Sequence, residues 1–279
     1  MIVKTIMQCY EDIRFQAGND ARKHTCHFFE KGTYRGCEVP LSIGSGVFVE
    51  VDENYLLFTA AHVVEKKPSD IFVGLDTKVG VVLNGYWIRN KRPENLKNND
   101  EDKIDAAILI LDKQSVAKVL ERYEFLSYNE IEINHIFEEN APSYVTVGYP
   151  ESKNKKSEKG LEHESLPFIY SNGVILDNNI YNKLGCDISQ NVIVPYNKKN
   201  TINRTTNQSK AGLGCLNGIS GGGLWYVPPQ FTKYNAKADK KLVGVITEWD
   251  KAKKYLIVTR IDEFLRLLQN LPQGVNLKN

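Results

Sequence analysis

Three short segments carry residue types that could perform acyl transfer. The first is Thr59-Ala60-Ala61-His62, which ends the apolar run Tyr55-Leu56-Leu57-Phe58. A histidine at a strand end is held firmly while its ring can face a cleft, as a general base requires. The second is Asp105-Ala106-Ala107-Ile108-Leu109, where a polar loop enters an apolar strand. A carboxylate at such an entry is partly buried and needs a hydrogen-bond partner. An imidazole N–H is one; the carboxylate then fixes the tautomer and steadies the imidazolium. The plainer reading is a turn cap, and Asp102 and Asp112 are competing carboxylates on either side. The third is Asn217-Gly218-Ile219-Ser220-Gly221-Gly222-Gly223. A serine nucleophile needs backbone N–H groups beside it for a developing oxyanion, and glycines permit the dihedrals and close approach this demands. A phosphate loop would instead place a Lys-Ser/Thr pair before a helix. Leu224-Trp225-Tyr226-Val227-Pro228-Pro229 reads as strand and turn.

These segments need rigid supports, and the chain supplies mostly strand signals. Val47–Val51 and Tyr55–Thr59 are β-branched and aromatic runs separated by Asp52-Glu53-Asn54, a hairpin pattern. Further runs are Ile71–Val73, Val79–Leu83, Ala106–Leu111, Tyr144–Val147, Val174–Leu176, Val192–Val194, Leu242–Ile246 and Leu256–Val258. Residues 89–103, 151–165 and 196–210 are rich in Lys, Asn and Glu and read as solvated loops. Many short strands between loops predict an all-β barrel or sandwich. Ile261, Phe264, Leu265 and Leu268 recur at helical spacing and predict a C-terminal amphipathic helix. A short helix is expected within residues 5–17, and residues 18–36 give no clear assignment.

Composition narrows the function classes. The 279 residues are 42% hydrophobic and 25% charged, a globular profile. The formal net charge of +2 gives no reason to expect nucleic acid or an anionic membrane as partner. No apolar run is long enough to span a bilayer, and Gln8, Glu11 and Asp12 interrupt any secretory-type apolar stretch. The expectation is a cytoplasmic protein. Cys9, Cys26, Cys37, Cys186 and Cys215 show no metal-ligand spacing and read as thiols in a reducing compartment. No metal and no cofactor is expected.

The order of the three segments, His then Asp then Ser, resembles the chymotrypsin/trypsin superfamily of serine peptidases, with matches at Thr59–His62, Asp105–Leu109 and Gly218–Gly222. Gly44-Ser45-Gly46-Val47-Phe48 resembles the family strand before the histidine, Val147-Gly148-Tyr149-Pro150 a segment common in bacterial members, and Leu242–Thr247 the strand that binds substrate backbone. The resemblance covers about residues 38–270. It implies two six-stranded antiparallel β-barrels: residues 38–135 with His62 and Asp105, and residues 142–270 with Ser220 and a terminal helix over 260–270. Residues 1–37 form an N-terminal extension outside it. It further implies a catalytic triad of His62, Asp105 and Ser220, and an oxyanion hole from the N–H groups of Gly218 and Ser220. Substrate contacts would come from Leu213, Gly214, Thr247, Glu248 and Trp249.

Departures from the family are informative. Val63 stands where secreted animal members carry a disulfide cysteine, which favours the bacterial branch. Ile219 stands where digestive members have the aspartate that receives a newly cut N-terminus, so that route of activation is closed. Ala211-Gly212-Leu213-Gly214-Cys215 lacks the pocket acid of members that cut after Lys or Arg, while Trp249 and Leu256 fall near pocket-wall positions. A small or apolar preference follows. The expected function is a serine endopeptidase acting on a specific intracellular protein or peptide, with a regulatory partner protein as a further expectation. The rival readings are a catalytically silent or partner-gated pseudoprotease acting as a peptide-binding module, and an esterase, the latter disfavoured because its order is Ser, Asp, His.

Overall fold

A computed structural model of the chain describes residues 6–34, 37–65, 71–74, 80–90, 103–139, 141, 143–152, 165–196, 202–203, 208–209, 215–229 and 238–270. Helix α1 (Ile6–Ala21) is followed by strands β1 (Thr25–Tyr34), β2 (Cys37–Val51), β3 (Asn54–Ala60), β4 (Ile71–Gly74), β5 (Gly80–Val82), β6 (Gly85–Arg89) and β7 (Ala106–Leu111). Helix α2 (Lys113–Val119) and strand β8 (Leu126–Ser127) lead to β9 (Tyr144–Gly148), β10 (Phe168–Asn172), helix α3 (Asn178–Leu184) and β11 (Asn191–Pro195). Then come β12 (Ile202–Asn203), β13 (Gln208–Ser209), β14 (Gly223–Tyr226), β15 (Lys241–Asp250), β16 (Tyr255–Arg260) and helix α4 (Ile261–Gln269).

The architecture is all-β with two curled antiparallel sheets and a C-terminal helix, as the sequence suggested. The first sheet runs β5-β4-β1-β2-β3-β7-β6, with β8 lying parallel to β2; the second runs β10-β9-β14-β15-β16-β11. Among the described residues the first sheet therefore has eight strands, against six expected. The strands that the sequence runs did not mark are β6, β8, laid beside β2 after the chain has crossed through α2, and β1, which pairs along its whole length with β2. Residues 25–34, expected in an extension outside the body, are thus part of the first sheet. Polar side chains such as His27 and Glu30 had hidden that strand from a reading by apolar runs.

The β2–β3 hairpin turns at Asp52-Glu53, both left-handed (φ 49° and 64°). That is the two-residue turn whose twist suits an antiparallel pair. A second irregularity matters more. The β1–β2 register reads His27↔Ser45, Phe28↔Gly44, Phe29↔Ser42, so Ile43 is an extra, bulged residue. Ser42 and Ser45 have opposite parity in the chain, yet the bulge sets both on the face that carries His27 and Phe29.

One apolar core joins the two sheets. Val47, Val49, Leu56, Phe58 and Ile108 of the first sheet pack with Val145, Val147, Trp225, Leu242 and Val245 of the second. Ile261, Phe264 and Leu265 of α4 close it, with the Phe58 and Phe264 rings 5.2 Å apart. Truncating a side chain like Phe264 to alanine costs about 3–5 kcal/mol in comparable cores. Ala17 and Ala21 of α1 complete this core, and Gly18 lets the helix sit directly on Ile169 and Val145. Beside α1, the buried Lys240 ammonium pairs with Asp20 (2.8 Å) and Glu130 (3.0 Å) and lies over the Trp225 ring. A buried cation needs such compensation, so α1 is tied to the second sheet by charge as well as by packing. Among the described residues no helix is long and apolar enough to cross a membrane.

Candidate active site

His62 sits in a 3-10 turn, Ala61–Val64, directly after β3. The neighbouring strand of the ladder is β7, and Ala60 pairs with Ala106, so the residue before β7, Asp105, lies beside the residues after β3. Sequence adjacency to strand ends is thereby converted into contact. Asp105 Oδ1 accepts a hydrogen bond from the His62 backbone N–H at 3.0 Å, and Asp105 Oδ2 lies 2.5 Å from His62 Nδ1. The carboxylate grips the histidine twice and directs Nε2 away from itself. Asp105 is buried, whereas the His62 side chain is 39% exposed.

Asp105 itself is left-handed, φ 40°, a conformation that is costly for a non-glycine residue and needs support from its surroundings. The support is dense. The Ala61 N–H donates to the Asp105 carbonyl (2.8 Å), and Asn90 Oδ1 accepts from the Ala106 N–H (2.8 Å). From the second sheet, Thr259 Oγ1 donates to the Ile104 carbonyl (2.6 Å) and Asn191 Nδ2 to the Lys103 carbonyl (2.7 Å). Of the competing carboxylates, Asp112 caps α2 by accepting from Ser115 N–H (2.7 Å). Asp102 lies outside the described residues. Burial acts most strongly to push the His62 imidazole down. The hydrogen bond and charge of Asp105, with the charges of Glu248 and Glu65, outweigh it, and the net pKa is raised above the ordinary 6.5.

Ser220 lies in a compact turn between the two sheets and is 9% exposed. Leu216-Asn217-Gly218-Ile219 closes with Ile219 N–H donating to the Leu216 carbonyl (3.0 Å) and Gly218 at φ 84°. This is a type II turn, which needs glycine at its third position. The Asn217 carbonyl accepts from Glu151 N–H at 2.7 Å. In a trans peptide the carbonyl and the following N–H point opposite ways, so the Gly218 N–H is aimed away from Glu151. Gly221, φ 89°, passes so close to the Ser45 carbonyl that no side chain fits. Ile219, where an acid was absent from the sequence, is fully buried among Leu216, Leu224 and Ile246.

Much of what holds this turn comes from the first sheet. Ser45 N–H donates to the Ser220 carbonyl (2.7 Å), and Ser45 Oγ donates to the Gly218 carbonyl (3.0 Å) while accepting from Tyr149 N–H (2.9 Å). Thr59 Oγ1 donates to the Ser45 carbonyl (2.8 Å) and links the clamp to the strand that carries His62. A methyl group built on Gly44 would meet both Val63 and the Ser220 carbonyl, so the histidine turn and the serine turn both come close to one glycine.

The proposed substrate-contact residues divide. Thr247 is buried; its Oγ1 donates toward the Ile257 carbonyl (3.3 Å) and it is a bulged residue between the pairs Ile246↔Val258 and Glu248↔Ile257. Glu248 pairs with Lys103 (2.6 Å), and Trp249 stands edge-on to Tyr196 (5.3 Å). Beyond Ile246, the β14 side of β15 has no strand partner among the described residues. Leu256 is completely buried. Leu213 and Gly214 lie outside the described residues. Among the described residues no group of three or more His, Cys, Asp or Glu could hold a metal ion. Sequence reading met Ser45 and Thr59 only as members of longer segments, with no role of their own, and did not single out Asn90, Asn191 or Thr259. They are uncharged residues within strand-like runs or loops, and only tertiary contact reveals their role.

The architecture has known counterparts. The chain is similar to the structure of neuropsin, a serine protease expressed in the limbic system of mouse brain, with 14% identity, 89% of this chain and 94% of that chain covered, and a TM-score of 0.52. A thermostable serine protease, AL20, from an extremophilic microorganism aligns over 92% of this chain and 99% of its own at 13% identity, with a TM-score of 0.48. No protein-family model matches the sequence, and no curated protein does. The fold is thus the chymotrypsin-like one of serine proteases.

Proposed function

We propose that the chain is a serine endopeptidase. The observation that carries this reading is the double grip of Asp105 on His62, through the backbone N–H and Nδ1. It is the arrangement a general base needs, since it fixes the tautomer and stabilises the imidazolium. In this reading Ser220 Oγ attacks the scissile carbonyl as His62 takes its proton. His62 then protonates the leaving amine, and a water molecule releases the acyl group by the same cycle. The Gly218 and Ser220 N–H groups hold the oxyanion, each worth about 2.7–4 kcal/mol in comparable enzymes. Substrate lies extended along the open edge of β15 at Thr247, Glu248 and Trp249, and Leu213 and Gly214 are the further proposed substrate contacts.

The fold supports the reaction class; the specificity rests on the residues. The lack of an acid before the serine and the Trp249–Tyr196 contact favour a small or apolar side chain in the pocket. Buried Ile219 and the Glu151–Asn217 hydrogen bond hold the oxyanion turn without a new N-terminus, which suits an enzyme competent as synthesised. The free thiols of Cys9, Cys26, Cys186 and Cys215 suit a cytoplasmic enzyme acting on a specific protein, under a partner's control where turnover must be limited. A fluorophosphonate probe, mapped by mass spectrometry, tests the reading. A single adduct on Ser220, absent from Ser220→Ala, is expected. A well-folded protein without the adduct would make the fold a peptide-binding module instead.

A further inference from the structure

His27 takes no part in the mechanism above, yet it is a fully buried imidazole with an ordered partner on each nitrogen. Nδ1 lies 3.0 Å from Ser165 Oγ and Nε2 2.7 Å from Ser42 Oγ. Its ring stacks flat on Tyr149, with centroids 5.1 Å apart and planes 6° from parallel, and packs against Phe29 at 4.0 Å. Such placement is expensive unless every polar atom is satisfied.

Both of its main contacts lead to one place. A methyl group built on Gly218 would meet the Tyr149 carbonyl at 3.1 Å, Glu151 N at 3.2 Å and Ser42 Oγ at 3.3 Å. The α-carbon of the oxyanion glycine therefore rests on a wall of three polar atoms. His27 fixes the first through its stack on Tyr149 and the third through its bond to Ser42. The same Tyr149 donates its N–H to Ser45 Oγ, which holds the Gly218 carbonyl.

We infer that His27 is a positioning residue for the oxyanion turn, acting through Ser42 and Tyr149 to keep the Gly218 N–H aimed at the reacting carbonyl. The inference rests on the protease reading for its functional meaning, but the support of the turn is a physical claim in its own right. Two measurements on the full chain separate them. Amide hydrogen exchange over residues 215–222 reads the turn directly. Substrate kinetics read whether loosening it affects chemistry.

His27→Phe, which keeps the ring stack and loses the Ser42 bond, and Ser42→Ala should each speed exchange in this segment by about tenfold or more. Each should lower kcat by a similar factor with KM nearly unchanged, the pattern of an interaction made only in the transition state. The double variant should be no worse than either single one. His27→Gln, which can still reach Ser42 but gives up the stack on Tyr149, should recover part of the loss. As a control, Tyr123→Phe breaks a hydrogen bond to the Gly74 carbonyl in the first sheet; it should lower the melting temperature without altering exchange at 215–222. If His27→Phe and Ser42→Ala lower only the melting temperature, or their losses simply add, the inference is overturned. A wild-type chain inert to the fluorophosphonate would sink the protease reading, while the exchange data would still decide whether His27 supports the turn.

Discussion

His62 and Asp105 stand at the ends of β3 and β7, adjacent strands of one ladder, and the bonds that join them lie within the first sheet. Ser220 belongs by sequence to the second sheet, yet its carbonyl and that of Gly218 are bonded to Ser45 of the first. The first half of the site is anchored mainly where its own strands pair; the second hangs between two sheets. Regular pairing makes the His–Asp half tolerant of small shifts between the sheets. The serine half keeps its geometry only while the sheets stay docked, and the shared core of Phe58, Trp225, Val245 and Phe264 is what docks them.

The comparison is sharpened first by removing the charge that defines the His–Asp half. Asp105→Asn should cut kcat by a factor on the order of 10⁴ while leaving substrate affinity near normal. Its pH profile is equally diagnostic. In the proposed reaction His62 acts as the neutral base, so activity should rise with pH through the raised folded pKa of that group. In the variant, burial remains while the Asp105 contributions are gone, so the acid limb should move to lower pH. The same shift in the intact protein has a stability consequence. The stabilisation of the His62 imidazolium by Asp105 is present below the ordinary pKa and disappears as pH rises through the folded value. An acid limb that stays in place after the substitution, followed by rate measurements across pH, would break the assignment of that limb to His62.

Next in size is Ser45→Ala. It removes the hydroxyl between the partly buried Gly218 carbonyl and the buried Tyr149 N–H, and should cost about 1–3 kcal/mol of stability. Activity should fall about 10–100-fold through kcat, since the proposed oxyanion donor Gly218 loses its support. Denaturant unfolding and steady-state kinetics measured on one sample check both effects. A drop in stability with unaltered kcat would show that the serine turn is less dependent on the first sheet than the contacts indicate. The smallest effect is expected for Thr259→Val, which deletes the bond to the Ile104 carbonyl while Ala61 and Asn90 still frame Asp105. A loss of about 1 kcal/mol in thermal unfolding and a few-fold change in kcat are expected.

The sequence disclosed the His62, Asp105 and Ser220 segments because each couples a distinctive residue to a strand end or a glycine run. It disclosed β7, β9, β11 and α4 because their apolar patterns are strong. It did not disclose β1, whose polar residues serve contacts that periodicity does not record. Nor did it disclose β10, or the helices α2 and α3, which are two turns each and begin at the capping acids Asp112 and Asp177. The hairpin was legible because Asp52-Glu53-Asn54 carries a local turn signal, but the register places Asn54 opposite Val51 and leaves a turn of two residues where three were read. Ser45 was legible only as part of a glycine-rich strand. Its function as a clamp depends on a register that the sequence does not state.

That register has a consequence for how this stretch of chain can vary. Ser42 and Ser45 share a face only because Ile43 is supernumerary in the pairing with β1. Exchange of Ile43 for another apolar residue leaves the count intact. Were Ile43 instead counted into the ladder opposite Phe29, every side chain of the site would remain in the protein, but Ser42 would move one step along, to the opposite face and away from His27. The strand leading to Ser45 is therefore permissive toward substitution at the bulge but depends on the bulge staying unpaired: what is inherited there is register.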